Sequence, residues 1–276
     1  MEDASRVVVP SVEAAVAAST ACAAALGLGV QSPEAIAVGY SVRVLLQPAK
    51  LVTRVITDGQ VMRGGPLLWL RREVQVASLL AIHGAPVVPP SEAPGPHRAA
   101  GLDVTLWRWL EPMPGLVSQQ EFAGLLFRLH EHLNDYDAEL PVLVGPLTDI
   151  ASALRVSDDE VLHAAAAQLL PEAQEWPRRP LHGDAHTGNL LSTRRGFVWL
   201  DFEDNCLGPV EWDFASRTIT NEAIAAYSGV LDPYLLRQCR QLRRLQILAS
   251  IITAGADPEA ESLRVELREA LAADFG

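Results

Sequence analysis

Three side chains in the stretch Leu181 to Asp204, LHGDAHTGNLLSTRRGFVWLDFED, are of the types and at the spacing that phosphoryl transfer requires. Asp184 and Asn189 lie five apart at the start of an apolar run, and Asp201 ends a second apolar run beyond a polar turn. Leu190 and Leu191 begin one short strand, Thr193-Arg194-Arg195-Gly196 is turn chemistry in which Gly supplies a positive φ, and Phe197 to Phe202 reads as the return strand. Counting outward from the turn sets Asn189 roughly opposite Asp201 at the open end of the hairpin, where antiparallel partners lie about 5 Å apart. One amide carbonyl and one carboxylate there could share a divalent cation, because Mg2+ takes one or two protein oxygens and keeps its other positions for phosphate oxygens and water. Asp184, in the loop just before, is left to receive a proton.

His182-Gly183-Asp184-Ala185-His186-Thr187-Gly188-Asn189 follows the H-x-D-x-x-x-x-N spacing of a kinase catalytic loop, and Asp201-Phe202-Glu203 stands where kinases carry the metal-binding D-F-G. With Gly after the first His and a second His two residues after the Asp, the stretch resembles the aminoglycoside phosphotransferase and choline kinase family; protein kinases usually carry Arg after that His. The resemblance extends over nearly the whole chain, strongest at residues 181 to 215 and diffuse before Ser118. It implies an α+β, two-lobed protein kinase-like fold. A small N-lobe with an antiparallel sheet would occupy residues 1–110, a hinge 111–117, and a larger, mainly helical C-lobe 118–276. It further implies that Asp184 is catalytic, that Asn189 and Asp201 hold Mg2+, and that His182 and His186 support the loop. The reaction implied is transfer of the γ-phosphoryl group of ATP or GTP to a hydroxyl of a small molecule. Gly208-Pro209-Val210-Glu211-Trp212-Asp213-Phe214-Ala215 resembles the family's G-D-P-x-x-D-L-A segment without its first Asp, and its retained acid, Asp213, is expected to brace the catalytic loop.

The elements that must position these groups can be read outward from them. Val12 to Val30 is apolar and Ala-rich, a helix with Ser11 as cap and Gly27 or Gly29 as stop. Ala35 to Leu46 and Leu51 to Thr57 look like strands separated by Gln47-Pro48-Ala49-Lys50, with a turn at Asp58-Gly59 before Gln60 to Met62. In the helix expected at Pro66 to His83, Leu70, Val74, Ala77, Leu80 and Ala81 form a stripe, and Glu73 falls on the same face. A carboxylate on a buried face needs a cation. The family pairs such a Glu with a phosphate-binding Lys on the third strand; here Leu51 to Val55 offers Arg54, a broader fork for the same electrostatic task. There is no G-x-G-x-x-G, and Gly39 with Ser41 is the nearest equivalent of a phosphate-covering turn.

Ala85 to His97 is Pro-rich and irregular, and Leu102 to Leu110 alternates as a strand in which Trp107 and Trp109 read as core or pocket lining. Glu111-Pro112-Met113-Pro114-Gly115 then interrupts the chain. By resemblance this is the hinge, whose backbone at Glu111 and Met113 would meet a purine edge. Ser118 with Glu121 makes a capping box for a helix striped by Phe122, Leu125, Leu126, Leu129 and Leu133. Val156 to Leu170, Asn221 to Tyr227, Pro233 to Ile252 and Pro258 to Ala273 read as further helices. His130, His132 and His163 read as satisfied or solvated histidines.

Over 276 residues the chain is 49% hydrophobic and carries a formal net charge of -12. A chain this long supports a large core divided into two lobes. Its acidity argues against nucleic acid and anionic membrane as partners, both of which need a basic face. It suits a cationic acceptor, although a solvated acidic surface explains it as well, and Glu203 and Asp204 can be read either way. Cys22, Cys206 and Cys239 form no C-x-x-C, and the chain opens Met-Glu-Asp without a basic leader, so a reducing cytoplasm is expected. An antibiotic or another hydroxylated natural product is the first reading of the acceptor, a metabolite such as choline or homoserine the second. Two rivals are a hydrolase using His182, Asp184 and His186 as metal ligands, and a kinase fold that binds nucleotide without transfer. Monomer and dimer are not distinguished.

Overall fold

The computed structural model describes residues 11–39, 41–56, 66–254 and 258–275. The chain divides into two compact units, Met1–Ala81 with Val88–Glu111, and Ile82–Val87 with Pro112–Gly276.

In the first unit, helix α1 (Val12–Ala25) begins where the Ser11 hydroxyl accepts from the Ala14 N–H at 3.2 Å. It stops at Gly27, whose φ of 71° lets the Leu28 N–H turn back onto the Ala23 carbonyl at 2.9 Å. Strands β1 (Val30–Val38), β2 (Ser41–Pro48), β3 (Leu51–Ile56), β4 (His97–Ala99) and β5 (Leu102–Arg108) form one antiparallel sheet in the order β1-β2-β3-β5-β4. Val42, Val44 and Leu46 share one face of β2 and pack with Ala15, Ala18 and Cys22 of α1. The single strand expected over Ala35 to Leu46 is therefore two, β1 and β2, which reverse around Gly39. Apolar content alone does not register that reversal, and β1 is an edge strand that tolerates Pro33. β4, with three residues, was too short to read. The expected turn at Asp58-Gly59 and the Gln60 to Met62 segment lie outside the described residues. Helix α2 (Pro66–Ile82) buries Leu70, Glu73, Val74, Ala77 and Leu80.

The second unit is mainly helical. Its helices are α3 (Gln119–Leu133), α4 (Val144–Val156), α5 (Glu160–Glu175), α6 (Asn221–Ala226), α7 (Pro233–Ala254) and α8 (Pro258–Phe275). Two small antiparallel pairs sit among them: β6 (Arg179–Leu181) with β9 (Cys206–Gly208), and β7 (Leu190–Thr193) with β8 (Gly196–Trp199). Ser118 caps α3 by accepting from the Glu121 N–H at 3.1 Å. The helix expected over Val156 to Leu170 is corrected to two. Val156 ends α4, Ser157 is extended, and the Asp159 carboxylate starts α5 by accepting from Val161 and Leu162. The core gathers on α7, where Leu242, Leu245, Leu248 and Ala249 meet Ile150, Leu162, Leu169, Trp212, Leu267 and Leu271. Among the described residues no helix is long and apolar enough to cross a membrane.

Candidate active site

The loop that follows β6 is held from behind by a fully buried carboxylate. Asp213, in the 3-10 turn Val210–Phe214, accepts from the His182 N–H at 2.9 Å and the Gly183 N–H at 2.8 Å. It also meets His130 Nε2 at 3.0 Å, while His130 Nδ1 meets the Tyr227 hydroxyl at 2.8 Å. Burial works to raise the Asp213 pKa, but the hydrogen bond and charge of His130, with the loop N–H groups, overcome it and hold the carboxyl below its usual range. Trp212 Nε1 donates to the Gly183 carbonyl at 2.8 Å. Gly183 has φ 87°, and a Cβ there would land on the Asp204 carbonyl oxygen, so only Gly fits this position.

His182 is fully buried between the rings of Trp199 and Phe202, with centroids at 5.1 and 4.7 Å. Desolvation drives its pKa down against the nearby carboxylates, so the ring is neutral. Its Nδ1 accepts from the Asp184 N–H at 3.3 Å, which leaves Nε2–H to donate to the Leu200 carbonyl at 3.1 Å. Both nitrogens are spent on backbone. The metal-hydrolase reading loses a ligand by this, and among the described residues no three His, Cys, Asp or Glu side chains are grouped to hold a metal.

Asp184 points out of this frame with 37% of its side chain exposed. His186 Nε2 stands 3.5 Å from Oδ2, and the other ring nitrogen accepts from the Gly188 N–H at 3.0 Å. On the opposite side Arg243, from α7, stands 3.4 Å from Oδ1. Burial raises the Asp184 pKa, but the His186 hydrogen bond and then the Arg243 charge outweigh it, and the carboxyl is held well below its usual range. Arg243 also donates to the Gly183 carbonyl at 3.0 Å and to Gln246 Oε1 at 2.9 Å, and its guanidinium lies 4.1 Å over the Trp212 ring. Gln246 in turn donates to the buried Asp149 at 2.9 Å. Sequence reasoning missed Arg243. The signal was available: Arg243 and Gln246 fall on the buried face of α7 with Leu236, Cys239 and Leu242, as Glu73 does on α2.

Asn189 closes the 3-10 turn Thr187–Asn189 and donates from Nδ2 to the Asp184 carbonyl at 2.9 Å, which turns its amide oxygen to the other side. The hairpin register differs from the expected one. Thr193 pairs with Gly196 and Leu190 with Trp199, so the residue facing Asn189 is Leu200, whose N–H reaches the Asn189 carbonyl at 3.1 Å. The turn itself falls where expected, at Thr193 to Gly196, and counting outward from it sets Asn189 opposite Leu200, one residue short of Asp201; β8 ends at Trp199. Asp201, two residues further on, has φ 68°, a left-handed kink just past the end of the strand. An amide oxygen plus one carboxylate is an oxygen-only set that fits Mg2+ with most positions left for phosphate and water.

In the first unit, Arg54 on β3 meets Glu73 on α2 at 2.7 Å, with side chains 5% and 3% exposed. Its Nε donates to the Ser41 hydroxyl at 3.2 Å. Glu111 is exposed at the end of this unit. In the second unit the Met113 N–H is donated to the Ser192 carbonyl at 2.9 Å, so the expected purine contact at this residue can come only from its carbonyl. Glu203 is half-buried, whereas Asp204 is buried with a carboxylate oxygen against Gly145.

The model of the phosphotransferase enzyme family, APH, matches residues 34–246. The chain belongs to that family. An amicoumacin kinase, hAmiN, solved in complex with AMP-PNP, Ca2+ and Ami, is similar at TM-score 0.72 and 14% identity, covering 94% of each chain. The choline kinase LicA from Streptococcus pneumoniae is similar at 0.68 and 13%, covering 92% of this chain and 97% of that one. A thermostable mutant of the aminoglycoside phosphotransferase APH(4)-Ia gives 0.66 and 13%, over 93% and 99%. No curated protein matches the chain. These likenesses establish the fold class as the α+β, protein kinase-like one, with a small antiparallel sheet in one part and a larger helical part.

Proposed function

We propose that this phosphotransferase-family chain is a small-molecule kinase that moves the γ-phosphoryl group of ATP or GTP to a hydroxyl. The setting of Asp184 carries the reading. It is a part-exposed carboxylate kept ionised by His186 and Arg243, on a loop whose backbone is fixed by Asp213 and Trp212 and whose main chain is tied to Asn189. Asp184 orients the acceptor hydroxyl and takes its proton as the new P–O bond forms. A weak base is enough, because the transition state is loose and asks little nucleophilic push. Asn189 and Asp201 would hold Mg2+, which when bound would supply positive charge against the phosphate oxygens. Arg54, fixed by Glu73, serves the α- and β-phosphates where the family resemblance implies Lys. Backbone groups at Glu111 and Met113 meet the purine.

The acceptor is a hydroxyl-bearing small molecule. An antibiotic or related natural product is the first class to test and an amino-alcohol metabolite the second, in keeping with the range of the structurally similar kinases. The case for a cationic acceptor is weaker than the overall charge suggested, since the charge beside Asp184 is a guanidinium and Asp204 is buried against Gly145. The test is acceptor-dependent loss of ATP or GTP across both classes, with Asp184→Asn as control. That variant should lose transfer by about 1000-fold or more, in the range that separate proton-transfer and positioning effects reach together, while nucleotide still raises its melting temperature. Transfer at the wild-type rate by Asp184→Asn sinks the assignment, and nucleotide binding without turnover across the panel favours a binding protein.

A further inference from the structure

Helix α7 carries more positive charge than the site above uses. Arg237, Arg240, Arg243 and Arg244 follow at three- and four-residue spacings, a local reversal of charge in a chain of net charge -12. Arg240, Arg243 and Arg244, with Arg217 from the segment after the Val210–Phe214 turn, line one cavity of 280 Å³, in which Glu266 is the single acidic side chain. A neighbouring cavity of 420 Å³ shares Arg240 and Arg244. Two of these arginines are held by exposed carboxylates, Arg217 by Glu266 at 2.9 Å and Arg244 by Asp274 at 3.4 Å, pairs that exchange readily with an incoming anion. The Arg240 side chain makes no hydrogen bond or ion pair with the described residues. Arg243 is a different case: its side chain is 9% exposed, and its buried Nε has no hydrogen-bond partner. Its two terminal nitrogens reach the catalytic loop, at the Gly183 carbonyl and Asp184 Oδ1. Of the five donors of its guanidinium, three are taken by Asp184, Gln246 and Gly183, which leaves Nε–H and the second Nη2–H for an anion.

We propose that this cavity binds an anionic group, the carboxylate or phosphate of a small molecule, read by Arg240 and Arg243 and coupled through Arg243 to Asp184. The binding stands on its own, and only the coupling rests on the kinase reading. An occupant could be an acidic group of the acceptor or a separate effector, since both present the same oxygens.

Inorganic phosphate titrated into the full chain, with AMP-PNP and Mg2+ already saturating the nucleotide site, gives the test by calorimetry. Wild-type protein should bind phosphate, Arg240→Glu should bind it roughly tenfold more weakly or worse, and Arg240→Lys should recover most of the loss, as expected when a charge-assisted contact is removed and restored. The Arg240 side chain has no hydrogen bond or ion pair with Asp184 or its loop, so the AMP-PNP affinity of both variants serves as the check on folding. Absence of phosphate binding to the wild type, or equal binding by Arg240→Glu, overturns the site. In turnover assays, phosphate that raises the acceptor KM identifies the acceptor's own acidic group, and phosphate that changes kcat at constant KM identifies an effector. Phosphate that binds at Arg240 yet alters neither constant overturns the coupling. Because binding is read without turnover, an inactive enzyme would count against the kinase reading and leave the site decided.

Discussion

Arg54 and Glu73 meet at 2.7 Å with both side chains almost wholly buried, and this pair shows how a single residue can be legible while its use is not. Glu73 was marked by its place on an apolar helix face, since a charge there must find a partner. Glu73→Gln should destabilise the protein by about 3 kcal/mol, the usual cost of stranding one member of a buried pair, read by urea unfolding. Arg54→Lys keeps the charge but loses the fork that reaches both Glu73 and Ser41. It should cost less stability than Glu73→Gln and weaken nucleotide affinity by about tenfold. A nucleotide affinity unchanged in Arg54→Lys and Arg54→Ala alike would remove Arg54 from the phosphate site. Arg243 is the counterpart that was not read: it shares the apolar face of α7 with Leu236, Cys239 and Leu242, but as the third arginine in a run of four it resembles a solvated face.

The element that matters most is the loop between β6 and the Thr187–Asn189 turn, and its shape depends on residues remote in sequence. Asp213 receives two of its backbone N–H groups and Gly183 occupies a backbone conformation that no Cβ could share. Gly183→Ala should destabilise by about 3 kcal/mol or more, since it adds strain at positive φ to an overlap with backbone, and scanning calorimetry of the variant reads it. The Asp213 network also carries a pH signature. Its folded pKa lies below the ordinary 3.8, so its contribution is fully present above that value and is lost as pH falls through the folded one. The stability gap between the wild type and Asp213→Asn should therefore be constant near neutral pH and close progressively below about pH 4, the region where the unfolded carboxyl takes up its proton. A gap that stayed constant down to pH 2 would mean that Asp213 does not work as a charged brace.

At the scale of the whole molecule, each unit has its own core, one packed between α1 and the sheet, the other gathered on α7. A ligand that binds only the folded chain adds stability by mass action, about 2.7 kcal/mol at a hundred times its Kd. Nucleotide with Mg2+ should raise the melting temperature accordingly. Removing the metal with a chelator, or replacing Asp201 by Asn, should abolish most of that rise while leaving the melting temperature without nucleotide nearly unchanged. A full shift in the chelator would deny Asn189 and Asp201 their metal role.

Much of this was in the chain itself. The spacing of His182, Asp184, Asn189 and Asp201 marked the site, and the apolar stripes of α2 and α3 located those helices, because capping and apolar spacing act within a few residues. Helix α4 and the short strands β4, β6 and β9 escaped, since three-residue strands owe their existence to a partner and not to their own pattern. The hairpin register, the kink at Asp201 and the reach of Arg243 to Asp184 were decided by tertiary structure alone. The physical reason is the same in each case: these features are contacts between segments far apart in the chain, and their energy appears only when both segments are present.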